Sequence, residues 1–335
     1  MQAFGIYTLA NDVVYDQLVA FLNSVEANIS SDIPVVIIPY DDRLEKVQQE
    51  VISRNNVTIF DDQNALQRWE DFAQQVWSVH PQGRQKKSAR LVQIRRRAQR
   101  RYAAFDGPFE KFVVYDADCL AMKPLDALFA KLETYDFVFD DWEHAKPEPV
   151  AALKLAQIEK SSSLKAAEVR PKLHCSSFWG SRRGLFAPQE LLELRQKLIE
   201  HREVEWINGV AEAFLFSYLT LRSEYTLFNF TLSPDSQDRT GNCADADPFI
   251  NINNVLYNKQ GLKPIHRIHY MNYSAESFSR LSQGEDVTMR YKDVFLYYRF
   301  MQQPEQMPKQ LVAPQKTTGT NHFINKILKR LPLPI

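Results

Sequence analysis

The order of apolar and polar positions predicts alternating strands and helices in the first 145 residues. Short apolar runs suit β-strands, and stretches with apolar residues every three or four positions suit amphipathic helices. The predicted strands are Phe4–Leu9, Pro34–Pro39, Val57–Phe60, Phe112–Tyr115 and Phe137–Phe139. The predicted helices are Tyr15–Val25, Leu44–Asn55, Leu66–Val79, Ser88–Phe105 and Leu125–Leu132. This alternation predicts an α/β fold, with a mostly parallel sheet flanked by helices.

The second half is less regular and predicts an α+β arrangement. Helical spacing covers residues 153–169, 188–202 and 210–221, and residues 178–181 suit a short strand. After Pro304 the chain is rich in Gln, Pro, Lys and Thr, which is typical of a linker. We therefore expect an α/β half at 1–145, a second half of the same domain at 146–303, and a linker with a short tail at 304–335.

The strand Phe112–Tyr115 leads directly into two carboxylates, Asp116 and Asp118. Open α/β sheets bind ligands at the carboxyl ends of their strands, and residues i and i+2 of a regular strand share one face. Both carboxylates are therefore expected to point at one ion or polyphosphate, and oxygen ligands favour Mg²⁺ or Mn²⁺. The alternative is a pair of solvated turn aspartates, because an Asp-x-Asp pair alone is a weak motif.

Composition narrows the class of protein. With 44% hydrophobic and 24% charged residues among 335, the chain is typical of a globular protein. The formal net charge is zero, so no overall field favours nucleic acid. The three cysteines lie far apart, which argues against a disulfide framework or a zinc site. The first residues lack the pattern of a signal peptide, and no apolar stretch reaches about 20 residues. We expect a cytoplasmic protein.

These features together resemble the GT-A glycosyltransferases, and in particular the family 8-like nucleotide-sugar transferases. The segment Tyr115-Asp-Ala-Asp-Cys-Leu-Ala-Met-Lys-Pro-Leu matches the family's Asp-x-Asp strand. The resemblance covers roughly residues 1–275, and it implies a Rossmann-like GT-A fold. It also implies that Asp116 and Asp118 hold Mn²⁺, or Mg²⁺, together with a nucleotide-diphosphate sugar, with Asp116 also near the ribose.

The resemblance also assigns roles elsewhere in the chain. Its opening strand and polar turn would hold the nucleotide, at positions Tyr7, Thr8, Asn11 and Asp12. Its third metal ligand, a histidine, would be His269, with His266 as the other candidate. Glu212 would contact the sugar. The segment 174–180 lies where the family has a further sugar-contacting piece but departs from its pattern.

Two neighbouring acids are candidates for the acceptor side. Asp140 and Asp141 end a predicted strand beside the metal strand, so we expect them to face the same cleft and bind acceptor or sugar hydroxyls. In an inverting mechanism one of them would be the general base, whereas the family resemblance implies retention. A second Asp-x-Asp, at Asp245 and Asp247, is predicted to be a turn, because no strand precedes it.

A run of cations without any acid leads towards the metal strand. Its members are Arg84, Lys86, Lys87, Arg90, Arg95, Arg96, Arg97, Arg100 and Arg101. Like charges one helical turn apart repel, so the run favours an anionic partner. The diphosphate, an anionic lipid head group and an acidic acceptor remain open, as does a solvated face. RNA is disfavoured because stacking aromatics are sparse. We expect Lys87 or Arg90 to face the donor.

The prediction is a metal-dependent glycosyltransferase that uses a nucleotide-diphosphate sugar, most simply a UDP-sugar. The acceptor would be a saccharide, a lipid-linked molecule or a protein, and no nucleic acid is expected. Two alternatives stay open: a phosphotransferase of the haloacid dehalogenase type, and a non-catalytic binding protein with the same fold. The basic amphipathic tail Phe323–Leu331 would make peripheral contact with a membrane, pack on a partner or fray.

Overall fold

The computed structural model of the protein describes residues 2–148, 150–234, 244, 248–259 and 262–314. The strands are β1 (Gln2–Ala10), β2 (Val35–Pro39), β3 (Val57–Ile59), β4 (Phe109–Asp116), β5 (Cys119–Ala121), β6 (Phe137–Phe139), β7 (Phe178–Arg182), β8 (Leu227–Asn229), β9 (Phe249–Ile252), β10 (Val255–Asn258) and β11 (Arg267–His269). The helices are α1 (Tyr15–Asn28), α2 (Glu45–Ile52), α3 (Gln63–Val79), α4 (Ala89–Ala98), α5 (Asp126–Lys131), α6 (Leu155–Ser161), α7 (Ala166–Val169), α8 (Pro188–Ile199), α9 (Glu212–Arg222), α10 (Ala275–Ser282) and α11 (Lys292–Arg299).

Seven strands form one central sheet in the order β3-β2-β1-β4-β7-β6-β8. Strand β7 is antiparallel to both of its neighbours, and the other pairs are parallel. The mostly parallel sheet predicted from the sequence is therefore confirmed. Since β1, β2, β4 and β6 run in one direction, their carboxyl ends meet at one edge of the sheet. The loops that follow these ends form that edge.

The core lies on both faces of this sheet. Alternate residues of β4 point to opposite sides, so Phe112 packs with one buried cluster and Val113 with the other. The first cluster is rich in aromatic side chains, among them Trp69, Tyr102 and Trp179. Burying a large apolar side chain contributes about 1.5–3 kcal/mol, so this aromatic layer is a main source of stability. A third cluster joins α10 and α11 to β5 and β11.

Two predicted helices are wrong in extent. The helix expected at Ser88–Phe105 ends at Ala98 and continues as a 3₁₀ helix, Gln99–Asp106. The pattern at 153–169 folds as two short helices, α6 and α7, because the chain is extended at Ser162. Among the described residues, no helix is long and apolar enough to cross a membrane. The predicted tail Phe323–Leu331 lies outside the described residues.

Candidate active site

The edge where the carboxyl ends meet carries the Asp-x-Asp pair. Strand β4 ends at Asp116, and a turn at Ala117–Asp118 leads into β5. Strand β5 pairs antiparallel with β11, and this register places His269 opposite Cys119. The two aspartates thus meet through a turn, not as i and i+2 of one regular strand. The pairing of β5 with β11 brings a histidine about 150 positions away in the sequence to the same point.

The distances between these side chains suit a shared cation. The Nε2 atom of His269 lies 3.4 Å from Oδ1 of Asp118 and 3.8 Å from Oδ2 of Asp116. His269 is 4% exposed, and its Nε2 atom has no hydrogen-bond partner among the described residues. Ligands about 2.1 Å from an octahedral ion lie roughly 3 to 4.2 Å apart, so the observed separations fit. The buried imidazole nitrogen therefore faces both carboxylates at distances that suit a shared divalent ion.

Electrostatics keep the carboxylate of Asp118 suited to a cation. Burial alone would raise the pKa of Asp118, but His269 and Arg101 outweigh it and hold that pKa below its usual value. A ligand-type atom of Cys119 also lies within 4.8 Å of those of Asp118 and His269. Burial raises the pKa of the Cys119 thiol, and its S–H group lies 3.9 Å from the carbonyl oxygen of Ser177. The protonated thiol is a poor ligand, so the oxygen and imidazole donors remain.

His266, the other candidate ligand, lies elsewhere. Its Nδ1 atom is 2.8 Å from Oδ2 of Asp140, and its ring packs between Phe178 and Phe230. Burial lowers the pKa of His266, although Asp140 opposes this shift. Of the two histidines, the structure brings only His269 next to the Asp-x-Asp pair.

The expectation for Asp140 is wrong in geometry. Strand β6 does not lie beside β4, because the antiparallel strand β7 runs between them. The side chain of Asp140 is fully buried and contacts His266, and its carbonyl oxygen accepts a hydrogen bond from Arg267. Asp140 therefore joins the β6 end to β11 and does not face an open cleft.

Asp141 lies at the end of β6, beside the segment that enters β7. Its Oδ1 atom accepts hydrogen bonds from the backbone N–H groups of Glu143 (2.7 Å) and Cys175 (3.1 Å). Asn229 and Thr231 hold its backbone. The carboxylate thus lies beside the segment that enters β7, whose next residues approach the metal strand. Its role towards an acceptor stays a prediction.

Glu212 belongs to a buried network that reaches the metal strand. Arg101 places Nη1 2.6 Å from Oδ1 of Asp116 and Nε 3.5 Å from Oε1 of Glu212. Tyr102 and Ser176 both donate hydrogen bonds to the Glu212 carboxylate. Burial raises the pKa of Glu212, against the opposing effect of Arg101. Arg101 therefore joins a predicted metal ligand to Glu212, a link that the sequence analysis missed.

The remaining arginines of the basic run divide into groups. Arg96 and Arg100 both pair with the buried Glu70, and Arg100 also donates to a backbone carbonyl. Arg97 lies 3.5 Å from Asp41 in the loop after β2. Hydrogen bonds from Arg43 and Asn11 outweigh the effect of burial and lower the pKa of Asp41 to about 2. Several of these cations therefore hold α4 against the fold.

Arg95 and Arg90 have contrasting surroundings. Burial lowers the pKa of Arg95, while the charge of Glu212 opposes that shift, so this guanidinium lies close to the buried network. Arg90 is exposed at the outer end of α4. The side chain of Lys87 lies outside the part of the chain that the structure describes. The expectation that Lys87 or Arg90 faces the donor stays a prediction.

The first predicted nucleotide contacts, in β1, have buried side chains. Tyr7 packs its ring against Phe109 and Phe112, at centroid distances of 4.9 and 5.2 Å. Thr8 is also fully buried. Neither side chain lies on the surface of the carboxyl edge, so contact with a nucleotide there would fall to residues that follow β1.

Asn11 and Asp12 do follow β1 at this edge. The amide of Asn11 donates to Asp41 (2.9 Å), and its oxygen accepts from the N–H of Val13. Asp12 accepts a hydrogen bond from the N–H of Val47 at 3.0 Å. The turn after β1 and the loop after β2 are thus tied together beside the metal strand. The second Asp-x-Asp, at 245 and 247, lies outside the described residues.

The segment that enters β7 contains a buried histidine with a consequence for stability. His174 stacks on Phe139 at 3.8 Å and contacts Thr220 and the Cys175 carbonyl. Burial lowers its pKa to about 3 from 6.5. Below pH 6.5 the His174 imidazole is protonated in the unfolded chain but stays neutral in the folded protein. The free energy of unfolding therefore falls as the pH decreases towards 3. The slope from this group is about 1.4 kcal/mol per pH unit.

We therefore expect His174→Gln to reduce the loss of stability between pH 7 and pH 5 by about 2 kcal/mol. Urea unfolding of both proteins at the two pH values measures this difference. His201 is exposed, so His201→Gln is the matched control and should retain the full acid sensitivity. An unchanged pH dependence in His174→Gln would contradict the assignment of a buried neutral imidazole.

The fold matches that of solved glycosyltransferases. The galactosyltransferase LgtC, solved with donor and acceptor sugar analogues, has a TM-score of 0.50 and 11% identity, over 89% of this chain and 95% of that one. GlyE of Streptococcus pneumoniae has a TM-score of 0.48 at 12% identity, over 92% of this chain and 62% of that one. Mouse xyloside xylosyltransferase 1 has a TM-score of 0.47 at 8% identity, over 68% of this chain and 84% of that one.

No protein-family model and no curated protein matches the sequence. The likeness to LgtC and the seven-stranded sheet together show a GT-A fold. The fold expected from the sequence resemblance is confirmed.

Proposed function

We propose that the protein is a metal-dependent glycosyltransferase that uses a nucleotide-diphosphate sugar, with a UDP-sugar as the expected donor. The observation that carries this proposal is the approach of the buried Nε2 atom of His269 to both Asp116 and Asp118 at the carboxyl edge of a GT-A sheet. An orphaned buried imidazole nitrogen facing two carboxylates suits a cation better than it suits a hydrogen-bonded core. The imidazole favours Mn²⁺ over Mg²⁺ as the ion.

The reaction transfers a glycosyl group between two oxygens. The bond from the anomeric carbon to the phosphate oxygen breaks, and its electron pair leaves with the nucleoside diphosphate. The acceptor oxygen forms the new bond to that carbon and releases its proton. A divalent ion held by the three ligands would supply Lewis-acid stabilisation of the leaving diphosphate.

The chain's own cations would support the same leaving group. Arg101 is fixed against Asp116, Arg95 lies near Glu212, and Arg97 pairs with Asp41 at the same edge. Positive charges in a partly desolvated site stabilise developing negative charge strongly. We propose that the turn Asn11–Asp12, tied to Asp41, borders the nucleotide.

On the acceptor side we propose two different roles for the predicted acids. Asp141 is the carboxylate that approaches an acceptor hydroxyl, because it lies at the end of β6 beside the entry to β7. Glu212 accepts hydrogen bonds from Tyr102 and Ser176 and pairs with Arg101. It is therefore a positioning residue that acts through Arg101 on Asp116.

A thermal-shift screen tests the donor site. Nucleoside diphosphates and their sugars are added with and without Mn²⁺, and a ligand at a hundred times its Kd stabilises by about 2.7 kcal/mol. We expect one nucleotide to raise the Tm only when Mn²⁺ is present. A shift with no turnover of any donor would favour the non-catalytic binding protein. Phosphatase activity without any nucleotide shift would favour the dehalogenase-type enzyme, and either result would contradict the proposal.

A further inference from the structure

The first turn of α4 and the segment before it carry cations that the fold does not neutralise. Arg84, Lys86 and Arg90, here called the basic rim, are all exposed. Within the described part of the chain, no ion pair involves any of the three. The inner cations of the same run differ, because Glu70 neutralises two of them and Asp41 a third. The run is therefore split between cations that hold the fold and cations that face solvent.

Contacts link the segment before the basic rim to the residues that precede Glu212. The Nε2 atom of His80 lies 3.2 Å from the carbonyl oxygen of Ile207. A Cβ atom at Gly209 would lie 3.4 Å from the side-chain oxygen of Gln82. The segment before the rim thus runs along the loop that leads into Glu212. Helix α4 also packs against α9, which begins at Glu212.

The distance along α4 separates the rim from the metal ligands. Arg90 and Arg97 are seven positions apart, which is about 10 Å of helix. Arg97 reaches Asp41 at the carboxyl edge, and Arg101 reaches Asp116. Arg90 therefore lies about 10 Å along α4 from the cation that reaches the carboxyl edge, and Arg84 and Lys86 precede it in the chain.

The chemistry of the rim favours a phosphate ester. Lys86 lies in the short 3₁₀ turn Lys86–Ser88 that precedes α4, and Arg90 is the second residue of α4, so their charges lie close together in sequence without an acid between them. Arginine and lysine together are typical of sites that bind phosphate oxygens through charge-assisted hydrogen bonds. A carboxylate would satisfy fewer of the donors that three long cationic side chains present.

We propose that the basic rim binds a phosphate or diphosphate ester carried by the acceptor, while the donor diphosphate occupies the inner site. The inference builds on the proposed function, because it names the class of acceptor for that same site. Positive charge on the exposed rim would also raise the rate of encounter with an anionic acceptor, in a salt-dependent manner.

The test measures binding to the full chain saturated with Mn²⁺ and the nucleotide that the thermal screen identifies. One arm compares glucose 1-phosphate with glucose, and the other compares phosphatidylcholine vesicles with and without phosphatidic acid. The two arms separate a soluble phosphate ester from a lipid-borne one. The variant is Arg84→Gln with Lys86→Gln and Arg90→Gln. The control removes the same charge at exposed lysines elsewhere, through Lys160→Gln, Lys259→Gln and Lys309→Gln.

We expect the wild type to prefer the phosphate-bearing probe in at least one arm. The rim variant should bind it about tenfold more weakly, the low end of electrostatic effects on association, and the control should bind as the wild type does. Equal binding by the rim variant, or no preference for phosphate in either arm, would overturn the inference.

The rise in Tm that the donor nucleotide causes in the presence of Mn²⁺ distinguishes failure of this inference from failure of the proposed function. The inference assigns Arg90 to the acceptor in place of the expectation that Lys87 or Arg90 faces the donor, so the rim variant should keep the full Mn²⁺-dependent shift. A rim variant that loses it would assign the rim to the donor diphosphate, which overturns the inference and leaves the transferase proposal intact. A wild type without any donor shift would instead contradict the proposed function itself.

Discussion

Asp118→Asn will lower metal-dependent transfer by about a thousandfold. A Lewis acid supplies several kcal/mol of transition-state stabilisation, and each 1.4 kcal/mol corresponds to about a factor of ten in rate. The Oδ1 atom of Asp118 lies nearer to the buried Nε2 of His269 than the Oδ2 atom of Asp116 does. Removing the charge of Asp118 should therefore weaken binding of the ion more than removing that of Asp116. Turnover of the donor at saturating Mn²⁺ measures the loss.

The matched control for this variant is Asp32→Asn. Asp32 is an exposed aspartate that precedes β2, at the sheet edge opposite the candidate site. The Asp32→Asn variant removes the same charge as Asp118→Asn and should leave turnover of the donor unchanged. Full metal-dependent turnover in Asp118→Asn would show that the Asp-x-Asp pair holds no catalytic ion.

Arg101→Met will destabilise the protein by about 3–5 kcal/mol, the cost of removing one partner from a buried charge pair. The Arg101 side chain is 10% exposed and neutralises both Asp116 and Glu212. Without it, two carboxylates would remain close together with little solvent to separate them. Urea unfolding at pH 7 gives the free energy of unfolding for both proteins.

A surface pair provides the comparison. Arg182 pairs with Asp136, but its side chain is 53% exposed, so Arg182→Met should cost about 1 kcal/mol or less. Adding Glu212→Gln to Arg101→Met should recover part of the lost stability, because one unpaired carboxylate is then neutral. A cost in Arg101→Met no larger than that in Arg182→Met would contradict the buried network.

The sequence predicts the sheet better than it predicts the site. Buried strands such as Val35–Pro39 are short apolar runs, and local periodicity identifies them. The antiparallel strand β7 changes what lies beside β4, and its insertion depends on a connection of nearly 40 residues after β6. No local pattern reveals such a pairing, so Asp140 was expected in a cleft that it does not face.

Some residues of the candidate site can be found from the local sequence, and others depend on how distant segments pair. Asp116 and Asp118 follow a strand that is visible in the sequence, so they could be found locally. The choice between His266 and His269 depends on the register of β11 against β5. A shift of one residue in that register would turn His269 away from the pair. Arg101 was one of nine cations in its run, and only the fold shows which of them reaches Asp116.

Nitrogen hyperfine coupling to bound Mn²⁺, measured by pulsed electron paramagnetic resonance, tests the central claim most directly. The protein is loaded with Mn²⁺ and the nucleoside diphosphate found in the thermal screen. We expect coupling to one imidazole nitrogen in the wild type and its loss in His269→Gln. A nitrogen coupling that survives in His269→Gln, or a wild type without any, would contradict a metal site built from Asp116, Asp118 and His269.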